Sequence, residues 1–327
     1  GKIQPINLRY SNSRRGRHSR LTDIPDFKYR LGLQRDAEVP VVAAYAGQAG
    51  ISGIDESNDF GINTGINLTQ NINASLNFSH SVSNSIQPNQ TTKTIQRDYF
   101  LTQFSQDDIN LSDSGIKGIP LPGWSVRWSG LEKLPFFSAF ARSVTVTHNY
   151  SGRYSTSFRN GEQQRASYVQ NLQPLAGMRI NLKGDIGMDA SYGTVKSLTH
   201  SFNGGEARDL SNSQNITFSA DYRRRSGLRL PIPFLRNLKM DNEITFNFTF
   251  NYNKSQQYKD ISGSSFDLVD ENYSWEIQPK IDYKFTNRVT GGLFYKYGQR
   301  FSARINNEGK PTTVRDFGLT INIQIRG

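Results

Sequence analysis

From Ile244 to Tyr252 the chain alternates large apolar residues with small polar ones without a slip. A helix would scatter those residues over every face. A strand instead gathers Ile244, Phe246, Phe248, Phe250 and Tyr252 on one side, opposite Thr245, Asn247, Thr249 and Asn251. The pattern recurs downstream. Tyr273, Trp275, Ile277, Pro279, Ile281, Tyr283 and Phe285 face away from Gln278, Lys280, Asp282 and Lys284. Phe317, Leu319, Ile321, Ile323 and Ile325 alternate with Gly318, Thr320, Asn322, Gln324 and Arg326. Strands this long and aromatic suit a bacterial outer-membrane β-barrel, apolar toward lipid and polar toward a wet lumen. The expected fold is all-β, an antiparallel transmembrane β-barrel wall. Its lipid face includes Phe246, Phe248, Phe250, Trp275, Ile281 and Tyr283. Its lumen face includes Asn247, Thr249, Asn251, Lys280, Asp282 and Lys284.

Composition narrows the field. The 327 residues are 35% hydrophobic, with a mean hydropathy of −0.61. They hold no apolar run of about eighteen residues, so a transmembrane helix is excluded. A barrel is the other way to pair every backbone polar group within a bilayer. Low mean hydropathy fits, because half of each barrel strand is polar. With no cysteine, disulfide staples and thiolate metal sites are ruled out. No signal peptide is visible and residue 1 is Gly, so the chain is expected to be processed or a piece of something longer.

The net charge of +11 could serve nucleic acid, anionic lipid or solubility. Arginines cluster at Arg14, Arg15, Arg17 and Arg20, and again at Arg223, Arg224, Arg225 and Arg229. These clusters follow the ends of amphipathic strands, where a barrel places charge at the membrane–water boundary. A compact recognition fold interleaved with them is not apparent, so nucleic acid is not expected as a partner.

Strands are expected at about 4–13, 25–35, 59–69, 71–85, 142–159, 172–182, 185–202, 208–223, 240–257, 270–285, 288–304 and 312–326. Very short connections centre on Gln70-Asn71, Lys183-Gly184 and Thr286-Asn287; longer polar ones span Arg159–Asn171, Lys259–Asp270 and Ile305–Pro311. Barrels place short turns at the periplasmic rim and long loops outside. Residues 92–104 and 121–129 keep this parity only as one interrupted crossing, with an insertion at about 105–120. The total comes to roughly thirteen crossings, which would leave the first and last strands parallel and the sheet unable to close by itself.

Two apolar connections, about 130–142 and 226–239, fall at the periplasmic rim by the same parity. They either cap the rim by packing on neighbouring strands or form a docking patch. Candidate docking residues are Leu134, Phe136, Phe137, Leu230, Pro231 and Phe234. Signs of covalent chemistry are missing. His18, His80, His148 and His200 are far apart, without a second ligand at metal spacing. Asp55, Glu56 and Asp59 read as solvated acids of an extracellular loop rather than a calcium loop. Neither a nucleophile elbow nor a phosphate loop occurs, so no catalytic, metal or cofactor site is expected.

Several phrases resemble the C-terminal region of the SprA/Sov family, the outer-membrane translocon of the type IX secretion system. They are Trp124-Ser-Val-Arg-Trp-Ser-Gly-Leu-Glu-Lys-Leu-Pro-Phe-Phe137, Ser143-Val-Thr-Val-Thr-His-Asn-Tyr-Ser151 and Gln173-Pro-Leu-Ala-Gly177. Leu230-Pro-Ile-Pro-Phe234, Ile277-Gln-Pro-Lys-Ile-Asp-Tyr-Lys-Phe285, Arg288-Val-Thr-Gly-Gly292 and Arg315-Asp-Phe-Gly-Leu-Thr-Ile-Asn-Ile323 continue the likeness in order. The resemblance implies the C-terminal section of a very large single-chain barrel with a lateral gate, which exports folded cargo proteins. It implies as partners the remainder of the barrel, a lipid-facing shuttle barrel and a periplasmic plug protein, besides outer-membrane lipid. The insertion at about 105–120 and the ending Arg326-Gly327, without a terminal aromatic, depart from the pattern. An independent porin or nutrient-transporter barrel and a soluble β-rich adhesin are the competing readings.

Overall fold

Alternation of this length leaves backbone groups to be paired by neighbouring strands, and among the described residues one large antiparallel sheet does so, beside two separate two-stranded ribbons. The computed structural model describes residues 2–18, 21–34, 37–40, 52–87, 90–98, 100–101, 118–119, 122–224, 228–229, 239–240, 242–260, 265–286, 288–304 and 309–324. The first half holds β1 (Lys2–Ile3), β2 (Asn7–His18), α1 (Phe27–Arg30), β3 (Ser52–Asn67), β4 (Ile72–Gln87), β5 (Gln90–Asp98), β6 (Phe100–Leu101), β7 (Gly118–Ile119) and β8 (Gly123–Ser129). A 3-10 turn at Leu131–Lys133 and α2 (Pro135–Ser138) lead to β9 (Ala141–Arg159), β10 (Glu162–Leu182), β11 (Ile186–Ser201) and β12 (Ala207–Arg224). Then come β13 (Leu228–Arg229), β14 (Lys239–Met240), β15 (Ile244–Asp260), β16 (Asp267–Lys284), β17 (Val289–Arg304) and β18 (Thr312–Ile323).

Fourteen of these strands form the sheet, in the order β1-β3-β4-β5-β9-β10-β11-β12-β15-β16-β17-β18. β1 and β2 pair end to end along β3. Likewise β5 and β8 stand end to end in one lane between β4 and β9. Fourteen strands thus occupy twelve lanes, not thirteen. The difference is the segment expected as a strand at 25–35. The Asp26 carboxylate accepts the Phe27 N–H at 2.7 Å and starts the single helical turn α1 instead. An even number of antiparallel lanes makes β2 and β18 antiparallel, which corrects the expectation of parallel edges. Among the described residues β2 and β18 do not pair with each other.

The insertion between the two halves of the interrupted lane lies largely outside the described residues; its ends, β6 and β7, pair with each other. Another correction concerns Arg159–Asn171, expected as a long loop. β9 and β10 run almost into each other through a two-residue turn, Asn160-Gly161, with φ of 52° and 89°. Positive φ at both positions is what a tight hairpin needs and what Asn-Gly supplies. The polar residues of 162–171 stay in the strand because alternation continues there with both faces partly polar.

At the opposite end, tight turns at 68–71 and 183–185 join β3 to β4 and β10 to β11, and Phe285, Thr286 and Arg288 lie between β16 and β17. Two of these connections use a threonine in the same way. The Thr69 hydroxyl accepts the N–H groups of Asn71 and Ile72, and the Thr286 hydroxyl those of Arg288 and Val289. Asp55, Glu56 and Asp59, expected in an extracellular loop, lie instead within β3. Glu56 pairs with Arg14 at 3.4 Å and Asp55 with Arg17 at 3.6 Å across the β2–β3 ladder. Arg14, Arg15 and Arg17 of the first arginine cluster therefore sit within β2, where Arg14 and Arg17 answer these acids; Arg20 lies outside the described residues.

Candidate functional site: a two-faced wall

Register decides which residues share a face, and here it is continuous across many lanes. In the β15–β16 ladder Phe246 stands opposite Ile281, Phe248 opposite Pro279, Phe250 opposite Ile277 and Tyr252 opposite Trp275. Asn247 stands opposite Lys280, Thr249 opposite Gln278 and Asn251 opposite Glu276. Extending one row gives Val144, Ile180, Met188, Ala220, Phe248 and Pro279 on the apolar side. Aromatic rings meet across strands on this side, with Trp124 stacked on Tyr150 at 4.3 Å and Trp275 edge-on to Tyr297 at 5.5 Å. Yet this face is open. Phe248, Ile281, Leu293 and Tyr295 are exposed, as are Phe317, Leu319 and Ile321 on the edge strand.

The polar face gathers all six residues expected there. Lys280 pairs with Asp282 at 2.9 Å, and the Asn247 amide donates to the same carboxylate at 3.4 Å. The Thr249 hydroxyl donates to the Gln278 carbonyl at 3.5 Å, and Lys296 pairs with Glu276 at 2.8 Å. Lys284 lines a depression of about 580 Å³ with Lys280, Asp282 and Arg288. A second depression of about 730 Å³ lies among Gln173, Asn215, Asn253, Ser274, Arg300 and Lys310. Hydroxyls, amides and partly neutralised charges line both. No group of three or more metal-ligating side chains occurs among the described residues.

Two features of the apolar side escape a reading of single strands. The first is a polar row, Gln170–Lys196–Asn212–Gln256–Glu271, which crosses five lanes in register. It is held by Lys254–Glu271 at 2.9 Å and by Gln256 donating to Glu271 at 2.9 Å. Beyond it, toward the long-loop end, apolar residues resume as a buried cluster of Ala166, Tyr168, Leu198 and Leu210, covered by Tyr154, Phe202, Tyr258 and Phe266. Arg208 closes the cluster. Its guanidinium pairs with the buried Asp260 carboxylate, at 3.0 Å from Nε, and stands 5.1 Å over the Phe266 ring. Resumption of apolar positions at Leu198, Leu210 and Tyr258 is the sequence signal for this tier.

The second feature is the segment 130–140. It stands at the short-turn end, where the Ser129 N–H donates to Asn71 O and the Lys183 N–H to Phe140 O, both at 2.8 Å. It folds over the apolar face: Leu131 is buried with Ala141 and Val144, while Phe137 packs against the same cluster beside Val146 and Ile180. Of the expected docking residues, Leu134 and Phe136 are exposed and Phe137 is half-buried in this packing. Leu230, Pro231 and Phe234 lie outside the described residues.

A large antiparallel sheet with an open apolar band on one face, bounded by a polar row, and a polar opposite face defines a transmembrane β-barrel wall of the bacterial outer-membrane type. No helix among the described residues is long and apolar enough to cross a membrane. No family model and no curated protein matches the chain. Among solved structures it is similar to OmpT, an outer membrane protein of Vibrio cholerae in its trimer form, at 9% identity and a TM-score of 0.20, covering 98% of each chain. It is also similar to an anion-selective porin from Comamonas acidovorans, at 9% identity and a TM-score of 0.16, over 98% of this chain and 99% of that one. Likenesses this distant carry no argument about what the chain does.

Proposed function

We propose that this chain is part of the wall of a protein-conducting outer-membrane channel, of the kind its SprA/Sov resemblance implies. Phe246, Phe248, Phe250, Trp275, Ile281 and Tyr283 contact lipid, and Asn247, Thr249, Asn251, Lys280, Asp282 and Lys284 line the lumen. The wall does no covalent chemistry. Its hydrated lumen face lets folded cargo slide past because it offers no apolar patch to bury. The observation that supports a larger assembly is the pair of open edges. β2 and β18 each lack a partner on one side among the described residues, and their apolar residues Leu8, Tyr10, Phe317 and Leu319 are exposed. Lipid cannot satisfy such edges, and in this reading further strands of the barrel or a gate-closing partner meet them.

A second reading, an independent porin, has one specific observation in its favour: β2 and β18 are antiparallel and so could close on each other. Purifying the 327-residue chain from detergent separates the two. Aggregation or ill-defined oligomers are expected of an open wall section. A monodisperse, heat-resistant monomer with ion-conducting pores would favour the porin.

A further inference from the structure

The segment Gly130–Phe140 connects two strands, yet it is built like a foot rather than a loop. Three devices fix it on the apolar face. Leu131 and Phe137 pack against Val144, Val146 and Ile180. The Glu132 carboxylate accepts the Val144 N–H at 3.0 Å. The Lys183 ammonium donates to the carbonyls of Ser138 and Ala139, at 2.8 and 3.2 Å. Held this way, the segment turns a second set of side chains outward. Phe136 is 75% exposed and meets Phe137 and Phe140 edge to face, at centroid distances of 5.1 and 5.8 Å. Leu134 and Phe140 are exposed beside it, and Trp128 of the neighbouring strand is 44% exposed on the same face.

We propose that this segment is a membrane-surface foot, with Leu134, Phe136 and Phe140 inserted into the phospholipid leaflet at the short-turn rim. The inference rests on the assignment of the apolar face to lipid. What identifies the occupant is continuity: the foot lies directly on Val144, Val146 and Ile180, which belong to the same rows as Phe248 and Phe250. Its chemistry also fits the interface, where Leu and Phe side chains enter the acyl boundary beside cations, here the exposed Lys133, held at headgroup depth. A soluble protein docking at the rim would have to displace lipid from a surface already continuous with the membrane.

None of the 327 residues is cysteine, so an introduced cysteine is the single thiol of this chain. Nitroxide labels on F136C, F140C, F248C and N251C, in the full-length protein in outer-membrane vesicles, would be tested for relaxation by oxygen and by a water-soluble nickel chelate. Phe136 is too exposed for F136C to disturb the fold, and F140C gives an independent second site. Labels at 136 and 140 are expected to respond more to oxygen than to nickel, as at 248 and opposite to 251. A nickel-dominated response at 136 and 140, with 248 still in lipid, would place the foot in water and overturn the proposal. Protection from both agents would show it covered by protein, which overturns it in favour of a docked partner. Nickel access at 248 would instead overturn the lipid-face assignment itself, and the foot with it.

Discussion

Phe248 offers the sharpest test of the two-faced wall. It is the central residue of the apolar band Ile244–Tyr252. At about 3.4 Å per residue and a tilt near 45°, four residues on each side place it roughly 10 Å from either boundary. Its in-register neighbours are Ala220 and Pro279, and its ring meets that of Phe218 edge-on at 6.1 Å, a contact worth about 0.5–1.5 kcal/mol and so smaller than the cost of burying a charge. A Phe248→Arg substitution therefore measures mainly the cost of placing charge in hydrocarbon, about 2–4 kcal/mol at the midplane. That lowers the folding equilibrium constant by roughly 30- to 700-fold. Thr249→Arg sits at the same depth, but between Ser219 and Gln278 on the polar face. There the guanidinium reaches water, and the cost should stay within about 0.5 kcal/mol, as for ordinary surface substitutions. Guanidinium unfolding from phospholipid vesicles, followed by tryptophan fluorescence, compares the two directly. Equal costs at 248 and 249, or a larger one at 249, would refute the lipid–lumen assignment and point to a sheet whose apolar face packs on protein in water.

Breaking the buried ion pair above the polar row should be costly: Asp260→Ala leaves Arg208 buried without its main partner, at about 3–5 kcal/mol, read as a lowered unfolding midpoint. Tyr168 is fully buried in the adjoining cluster, so Tyr168→Ala should cost a similar 3–5 kcal/mol or so, with faster proteolysis at the 202–206 loop as an early sign. At the other end, the backbone N–H groups of Glu132 itself and of Val144 hold the Glu132 carboxyl below its usual range. A depressed folded value means this contribution is complete above the unfolded pKa and is lost as pH falls through the folded one. The protection factor of the Val144 amide, taken against the intrinsic exchange rate at each pH, should therefore fall on acidification in the native protein and show no such fall in Glu132→Gln. A cysteine at the exposed Arg288 turn should resist an impermeant thiol reagent in intact cells and react after permeabilisation; labelling in sealed cells would reverse the topology.

How much of this was legible in the chain varies with the physics behind each element. Alternation at 244–252, 273–285 and 317–323 reports strand and face directly, because a period of two has one structural meaning. Parity of short turns suffices to make 92–104 and 121–129 halves of one crossing, and β5 and β8 share a lane. Three things were hidden. α1 arises from one capping carboxylate at Asp26, a contact that periodicity does not register. The Asn160-Gly161 turn carries the strongest hairpin signal available, but the polar residues after it read as loop. The side of the sheet on which 130–140 packs depends on Val144 and Ile180 meeting in register, which no local pattern encodes.

The polar row gives the wall a height that the membrane alone does not require. β15 runs from Ile244 to Asp260, and its apolar band ends at Tyr252. The remaining eight residues, at about 3.4 Å each and the same tilt, carry the sheet roughly 20 Å beyond the lipid boundary. Strands that project into water cannot use lipid to cover an apolar outer face. They must turn polar, as at Gln256 and Glu271, or be covered by protein, as Tyr168, Leu198 and Leu210 are by Phe202 and Phe266. Both solutions occur here, one above the other. A cover of this kind rigidifies the projecting strands on the side away from the lumen, so the polar face can stay free of packing. It follows that loosening the cover should leave the membrane band intact: Asp260→Ala should release exchange in the upper residues of β11, β12 and β15 while Phe246–Phe250 remain protected. Loss of protection along whole strands would mean that the two tiers unfold as one unit and that the row between them is not a boundary.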